Sequence, residues 1–257
     1  MVMADRSKQQ WGPDKAWMWS SDWETVREKV LQNRICDLRI RIKDSPLEPF
    51  IRQLEKELSA KGIHYLPSFY LTDSWGCPDK VPIIGIPFYL SSTLLWRIEK
   101  EETGCLEDSR TIMQFLRHET GHAINYAFRL WEESGWKDTF GSFSRPYREV
   151  FYPNPCSRSY VRHIYCYSYG YTYAQKHPDD DFAETFAVWL TPRSGWRRKY
   201  RYWPAIRKLR YVDRLMRQIR DQEPKRKGGN LVMPLSRLTI CVADYYRIRI
   251  KTYARTS

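Results

Sequence analysis

No two cysteines of this 257-residue chain stand in a C-x-x-C arrangement; the six of them (Cys36, Cys77, Cys105, Cys156, Cys166 and Cys241) are scattered. That spacing argues against a zinc ribbon and against a dense disulfide framework. No apolar run approaches the roughly 20 residues that span a bilayer. Residues 1–20 are polar and tryptophan-bearing, without the apolar stretch of a signal peptide. The expectation is a cytoplasmic protein with no membrane partner. No internal repeat is visible. Histidine is scarce, at five residues, and acids nearly vanish from the last quarter. From 191 to 257 there are 19 Lys and Arg against four acids, a balance of +15, so the overall +13 leaves −2 for the preceding 190 residues.

What is present belongs to a folded protein. Aromatic residues make up 15 %, eleven of them tryptophan, and the length suffices for one domain with a full core. Two of the five histidines fall in Arg117-His118-Glu119-Thr120-Gly121-His122, which spells H-E-x-x-H. On an α-helix, residues four apart stand one above the other, so two imidazoles at that spacing can converge on one zinc ion. Glu119, one position on, can reach a water on the metal and take its proton. The flanks supply the helix the motif needs. Asp108 and Ser109 are N-cap residues, and Ile112, Phe115, Leu116, Ala123, Tyr126, Ala127 and Leu130 recur at helical period, giving a helix from about 108 to 131.

Upstream, the patterning predicts an extended arm over 1–20, a helix over about 23–33 and a strand carrying Leu38, Ile40 and Ile42. A second helix lies between Ser45-Pro46 and Gly62. Strands follow over 63–71 and 81–90, the latter at an edge because Pro82 and Pro87 cannot donate to a ladder. A short helix or irregular link over 91–102 leads into the H-E-x-x-H helix. Downstream, Tyr165, Tyr167, Tyr169, Tyr171 and Tyr173 alternate with smaller residues, which would place five tyrosines on one face of a strand. A helix over about 203–221 carries an apolar stripe among six basic residues, and the tail from 231 reads as strand-like.

Catalytic zinc sites usually carry three protein ligands and one open position. The stretch His177-Pro178-Asp179-Asp180-Asp181-Phe182-Ala183-Glu184-Thr185-Phe186-Ala187-Val188-Trp189-Leu190 reads as an acid-capped helix with apolar residues on most sides. It offers Glu184, a carboxylate among apolar neighbours whose burial a dication would offset. Asp180 and Asp181, nearer the helix start, are the competing candidates, with capping as their simpler role. Neither His163 nor His177 stands at the spacing of a metzincin third ligand.

H-E-T-G-H at 118–122 together with D-F-A-E-T-F-A at 181–187, with Tyr173-Ala174 shortly upstream, resembles the zinc-binding metallopeptidases of bacteria, on the gluzincin side of the zincins. More distantly it is similar to the catalytic domain of lethal-factor-like toxins. The resemblance covers roughly residues 60–220. It implies His118, His122 and Glu184 as zinc ligands, Glu119 as general base, Tyr173 as oxyanion donor and Asp181 as the acceptor that holds a ligand histidine's far N–H.

The expected architecture is therefore α+β and zincin-like, a small mixed sheet packed on the H-E-x-x-H helix and a second, Glu-bearing helix. The expected organisation is an arm at 1–20, a metallopeptidase domain at 21–222 and a basic extension at 223–257. The expected activity is hydrolysis of peptide or protein substrates through a zinc-bound water. The alternative is a nucleic-acid-binding protein working through the basic C-terminal region, with Trp196, Tyr200, Tyr202, Trp203, Tyr245 and Tyr246 interleaved for phosphate and base contacts.

Overall fold

The longest apolar stripe of helical period forms the central helix among the described residues. In a computed structural model, which describes residues 22–147, 151–164 and 170–256, α4 spans Ser109–Phe128. Its start is set by Asp108, whose carboxylate accepts the Thr111 N–H at 2.7 Å. From Leu116 to Phe128 every residue of α4 is buried, so the rest of the chain wraps it on all sides.

Three helices precede it: α1 (Trp23–Gln32), α2 (Glu48–Ala60) and α3 (Thr93–Thr103). Between α2 and α3 two short parallel strands, β1 (Ser68–Thr72) and β2 (Ile83–Pro87), pair in the register Ser68↔Ile83 to Thr72↔Pro87. Pro87 ends β2, as a residue without an N–H must at the end of a ladder. The segment between the strands folds back so that Gly76 bridges Gly85 in the antiparallel sense, with N–H···O distances of 3.3 and 2.7 Å. A buried bidentate pair, Arg117 with Glu57 at 2.7 Å on both arms, ties α4 to α2.

After α4 come α5 (Trp136–Phe140), α6 (Pro178–Leu190), α7 (Trp196–Lys199), α8 (Ile206–Ile219) and α9 (Val242–Thr256). The described residues thus form a mixed α+β structure with nine helices and one two-stranded parallel sheet. Among them no helix is long and apolar enough to cross a membrane.

Helix α6 crosses α4 at close range, and Gly121 is the reason. A Cβ at Gly121 would lie 2.7 Å from Ala183 Cα and 3.2 Å from Ala183 Cβ. The glycine inside H-E-T-G-H therefore sets how near the acidic helix can approach the histidines. His177 caps α6: its Nδ1 accepts the Asp179 N–H at 3.1 Å, and its Nε2–H donates to the Arg145 carbonyl at 2.7 Å. A backbone N–H can only donate and a carbonyl only accept, so this imidazole is neutral with its proton on Nε2.

Two expected strands are absent. Residues 38–42 follow a 3₁₀ turn (Ile35–Asp37) as irregular chain, because their neighbours Ile35 and Cys36 spend their N–H groups on the tail carbonyls of Ile240 (3.0 Å) and Leu238 (2.9 Å). The tail beyond 231 holds a 3₁₀ turn (Leu235–Arg237) and then α9, whose buried Val242, Tyr245 and Tyr246 fall at helical spacing. Those three side chains and Leu238 join the same core cluster as Leu116 and Ile124 of α4. Of the alternating tyrosines, Tyr165, Tyr167 and Tyr169 lie outside the described residues. Tyr171 is exposed and Tyr173 opens a 3₁₀ turn (Tyr173–Gln175), so the described part is no strand. The arm expected over 1–20 also lies outside the described residues.

Candidate metal centre

Helix α4 presents His118 and His122 one turn apart, and the first turns of α6 bring three carboxylates against them, those of Asp179, Asp180 and Glu184. His118 Nδ1–H donates to Glu184 Oε1 at 2.9 Å, and His122 Nδ1–H donates to Asp179 Oδ2 at 2.8 Å. With both Nδ1 atoms committed to carboxylates, each ring turns its Nε2 inward, and the two Nε2 atoms stand 3.0 Å apart. Asp180 Oδ1 lies 3.6 Å from His122 Nε2 and 3.8 Å from His118 Nε2. Two imidazole nitrogens and a carboxylate oxygen at these spacings are a donor set for a cation, whether a proton on one Nε2 or a metal ion between them.

A metal ion fits this donor set. Two ligands about 2.0–2.1 Å from one tetrahedral ion lie roughly 3.3 Å apart, close to the observed 3.0 Å. The buried group His118, His122 and Asp180, with ligand atoms all within 4.8 Å of one another, has the two-nitrogen, one-oxygen composition of a catalytic zinc site. Glu184 is outside this group. Its Oε1 is behind His118, and its Oε2 accepts the Ile164 N–H at 3.0 Å. Burial pushes the Glu184 carboxyl up, yet the His118 hydrogen bond and the neighbouring histidine charges outweigh it and hold the group below its ordinary range.

Asp179 was assigned no role beyond the helix start, and it proves to be the most heavily solvated by protein. Asn125 Nδ2 donates to its Oδ1 at 2.7 Å, and His122 and the Tyr126 hydroxyl donate to its Oδ2. Burial opposes its charge, but His122 and these donors keep its pKa below the ordinary value. The available signal was on α4, where Asn125 and Tyr126 follow His122 by three and four residues and so share its face.

Asp181 does not hold a histidine; it pairs with Lys208 of α8. Burial raises its pKa to about 7 against the pull of Lys208, and its Oδ1 has no hydrogen-bond partner. Glu119 faces the cavity beside the rings, and burial raises its pKa, with the histidine charges opposing. Tyr173 sets its ring edge-on to His118, centroids 5.5 Å apart. Burial, then the charge of Asp180, pushes its phenol well above the ordinary value, so it stays a hydrogen-bond donor. The Tyr147 hydroxyl, absent from the sequence reading, donates to Asp180 Oδ2.

His118, Glu119, His122, Tyr126, Tyr147, Tyr173, Asp179 and Asp180 line one cavity of about 890 Å³, with Glu184 and Asp181 behind them. Trp131 and Phe143, stacked at 4.5 Å and 10°, form an apolar wall, and Lys80, Lys137 and Arg145 line it as well. A concave, partly apolar space with a few convergent polar groups is what a substrate site requires.

The model of a family described as "Putative zinc-binding metallo-peptidase" matches residues 96–200, a span that takes in α4 and α6. No curated protein and no solved structure matches the chain.

Proposed function

We propose that the chain is a zinc-dependent peptidase of zincin type in which His118, His122 and Asp180 hold the metal. The observation that carries the reading is the pair of inward Nε2 atoms, 3.0 Å apart beside Asp180 Oδ1, with each ring backed by a carboxylate. On this reading Asp180, one of the competing candidates, is the third ligand in place of Glu184, and its grouping with the two histidines supports it. Peptide as the substrate class rests on the family description.

When bound, zinc supplies Lewis acidity, polarising a carbonyl and acidifying water. The chain's own residues do the rest. Glu184 and Asp179 fix the tautomers, so that both Nε2 atoms remain ligands and the rings cannot turn. Tyr147 holds the outer oxygen of Asp180. Glu119 takes the proton from the attacking water and passes it to the leaving amine; its upward-shifted pKa brings it nearer the proton affinity that both transfers need. Tyr173 donates to the oxygen on which negative charge develops. The Trp131–Phe143 wall accommodates an apolar side chain of the substrate.

Metal analysis of the purified chain and hydrolysis of a peptide library with and without chelator test the reading. Glu119→Gln is expected to keep the zinc and the fold while lowering kcat by about 10²–10⁴-fold. Zinc-free wild-type protein, or a Glu119→Gln variant with undiminished turnover, would overturn it.

A further inference from the structure

A second cavity, of about 580 Å³, shares no residue with the first. Its wall carries Arg110 and Arg117 from α4, Arg162 from the segment before residue 165 and Lys199 from α7. No carboxylate lines it among the described residues. Arg117 is already neutralised by its bidentate bond to Glu57. Arg110, Arg162 and Lys199 remain, all with exposed side chains, gathered around one concavity. On a convex surface water screens such charges; around a cleft with low-dielectric walls their fields add, and an anion gains from all three.

The wall is held in place before any ligand arrives. The Arg162 N–H donates to the Tyr200 hydroxyl at 3.0 Å, and Tyr200 is fully buried. The Arg162 guanidinium donates to the Pro155 carbonyl at 2.9 Å and lies 5.0 Å over the Trp203 ring. The Lys199 ammonium lies 5.4 Å from the centre of the Tyr200 ring, so one buried tyrosine serves both cation-bearing segments. Also on the wall, Gln114 and His163 exchange bonds, Gln114 Nε2 to the His163 carbonyl at 3.0 Å and His163 Nε2–H to the Gln114 carbonyl at 3.2 Å. The Arg162 side chain thus has less freedom to lose on binding, and that is a gain in affinity.

We infer that this cavity is a binding site for an organic phosphate carrying at least two negative charges, gripped by Arg110, Arg162 and Lys199. Two guanidinium forks and an ammonium match the three oxygens of a phosphate dianion better than the two of a carboxylate. The volume exceeds what a bare phosphate needs and lies in the range of small-molecule pockets. The Ser194 hydroxyl and the Tyr171 ring, both on the wall, offer a hydrogen bond and a stacking face to the organic part. A free nucleotide and the phosphorylated end of a nucleic-acid strand present the same chemistry.

The inference does not rest on the metal reading. Inorganic pyrophosphate is titrated calorimetrically into the full chain at low ionic strength, before and after removal of any metal by chelator and dialysis. Saturable binding in both forms is expected. The pair Arg162→Gln and Lys199→Gln together should weaken it at least tenfold, and Arg110→Gln alone severalfold, with the circular-dichroism spectrum of the fold retained in each; Arg110→Gln, whose side chain is exposed, should also keep the wild-type melting temperature. No saturable binding, binding lost with the metal, or a charge-removed pair that binds like wild type would each overturn the site. Competition then identifies the source. Displacement of pyrophosphate by adenosine monophosphate alone points to a free nucleotide; displacement also by a 5′-phosphorylated oligonucleotide, through the same residues, points to a strand end.

Discussion

Helices α6 and α8 pack against each other, have 13 and 14 residues, and treat charge in opposite ways. Every residue of α6 is buried, its four acids included. Helix α8 buries Ile206, Leu209, Tyr211, Val212, Leu215, Met216 and Ile219 and leaves Arg207, Arg210, Arg214 and Arg217 in water. An ion taken out of water must find a partner in the protein or give up its charge. Each α6 acid has therefore acquired a definite neighbour, and the neighbour assigns its work: Asp179 to His122, Asp180 to the Nε2 atoms, Asp181 to Lys208, Glu184 to His118. The exposed arginines are under no such constraint. Abundant charge on α8 says less about chemistry than four carboxylates on α6.

The comparison breaks most visibly at Asp180. Asp180→Asn should leave the purified chain essentially without zinc and without hydrolytic activity, since a neutral amide is a poor ligand for the dication. Retained zinc in that variant, with zinc lost in Glu184→Gln instead, would return the ligand role to Glu184.

Next in size is Lys208→Met. It leaves the Asp181 carboxylate buried without its cation, and removing one partner of a buried pair costs about 3–5 kcal/mol. Urea denaturation should show a lower midpoint with an unchanged slope. A stable Lys208→Met variant would mean that Asp181 is carried neutral and that α6 tolerates an unpaired acid.

Glu184→Gln comes third. A residue that orients a metal-bound imidazole typically contributes 10–100-fold in metal affinity. Competitive zinc titration against a chromogenic chelator should find a loss of that order, with full occupancy recovered at high zinc.

What could be read without coordinates follows the same division. The α4 helix and the pairing of its histidines were legible because cap, apolar period and i,i+4 spacing are local. That α6 is buried and acidic was legible too. Which acid faces the two Nε2 atoms was not. Asp179, Asp180 and Asp181 each turn by about 100° from the last, so the answer depends on the height at which α6 crosses α4, and Gly121 against Ala183 sets that crossing. The tail misled for a different reason. Thr, Ile, Val and Tyr carry β propensity, and in α9 the packing of Val242, Tyr245 and Tyr246 against the core overrides it. The alternation at 38–42 had no strand to pair with, because the chain's nearest backbone partners were in that same tail.

The smallest expected effect is at Arg210. Its side chain points from the exposed face of α8, where Gln keeps the helix propensity and most of the bulk and removes only the charge. Nothing buried loses a partner, so Arg210→Gln should change stability by no more than about 0.5 kcal/mol and leave zinc content and hydrolysis as in wild type. Pyrophosphate binding should also be unaffected, because Arg210 is not on the wall of the second cavity. The measurement is worth making beside Lys208→Met, two residues away on the same helix and also the loss of one positive charge. If both variants were destabilised alike, the outer face of α8 would be covered in solution by something that needs its charge, and the contrast between a buried acidic helix and a solvated basic one would fail. If only Lys208→Met falls, the value of a charge in this protein is set by what surrounds it.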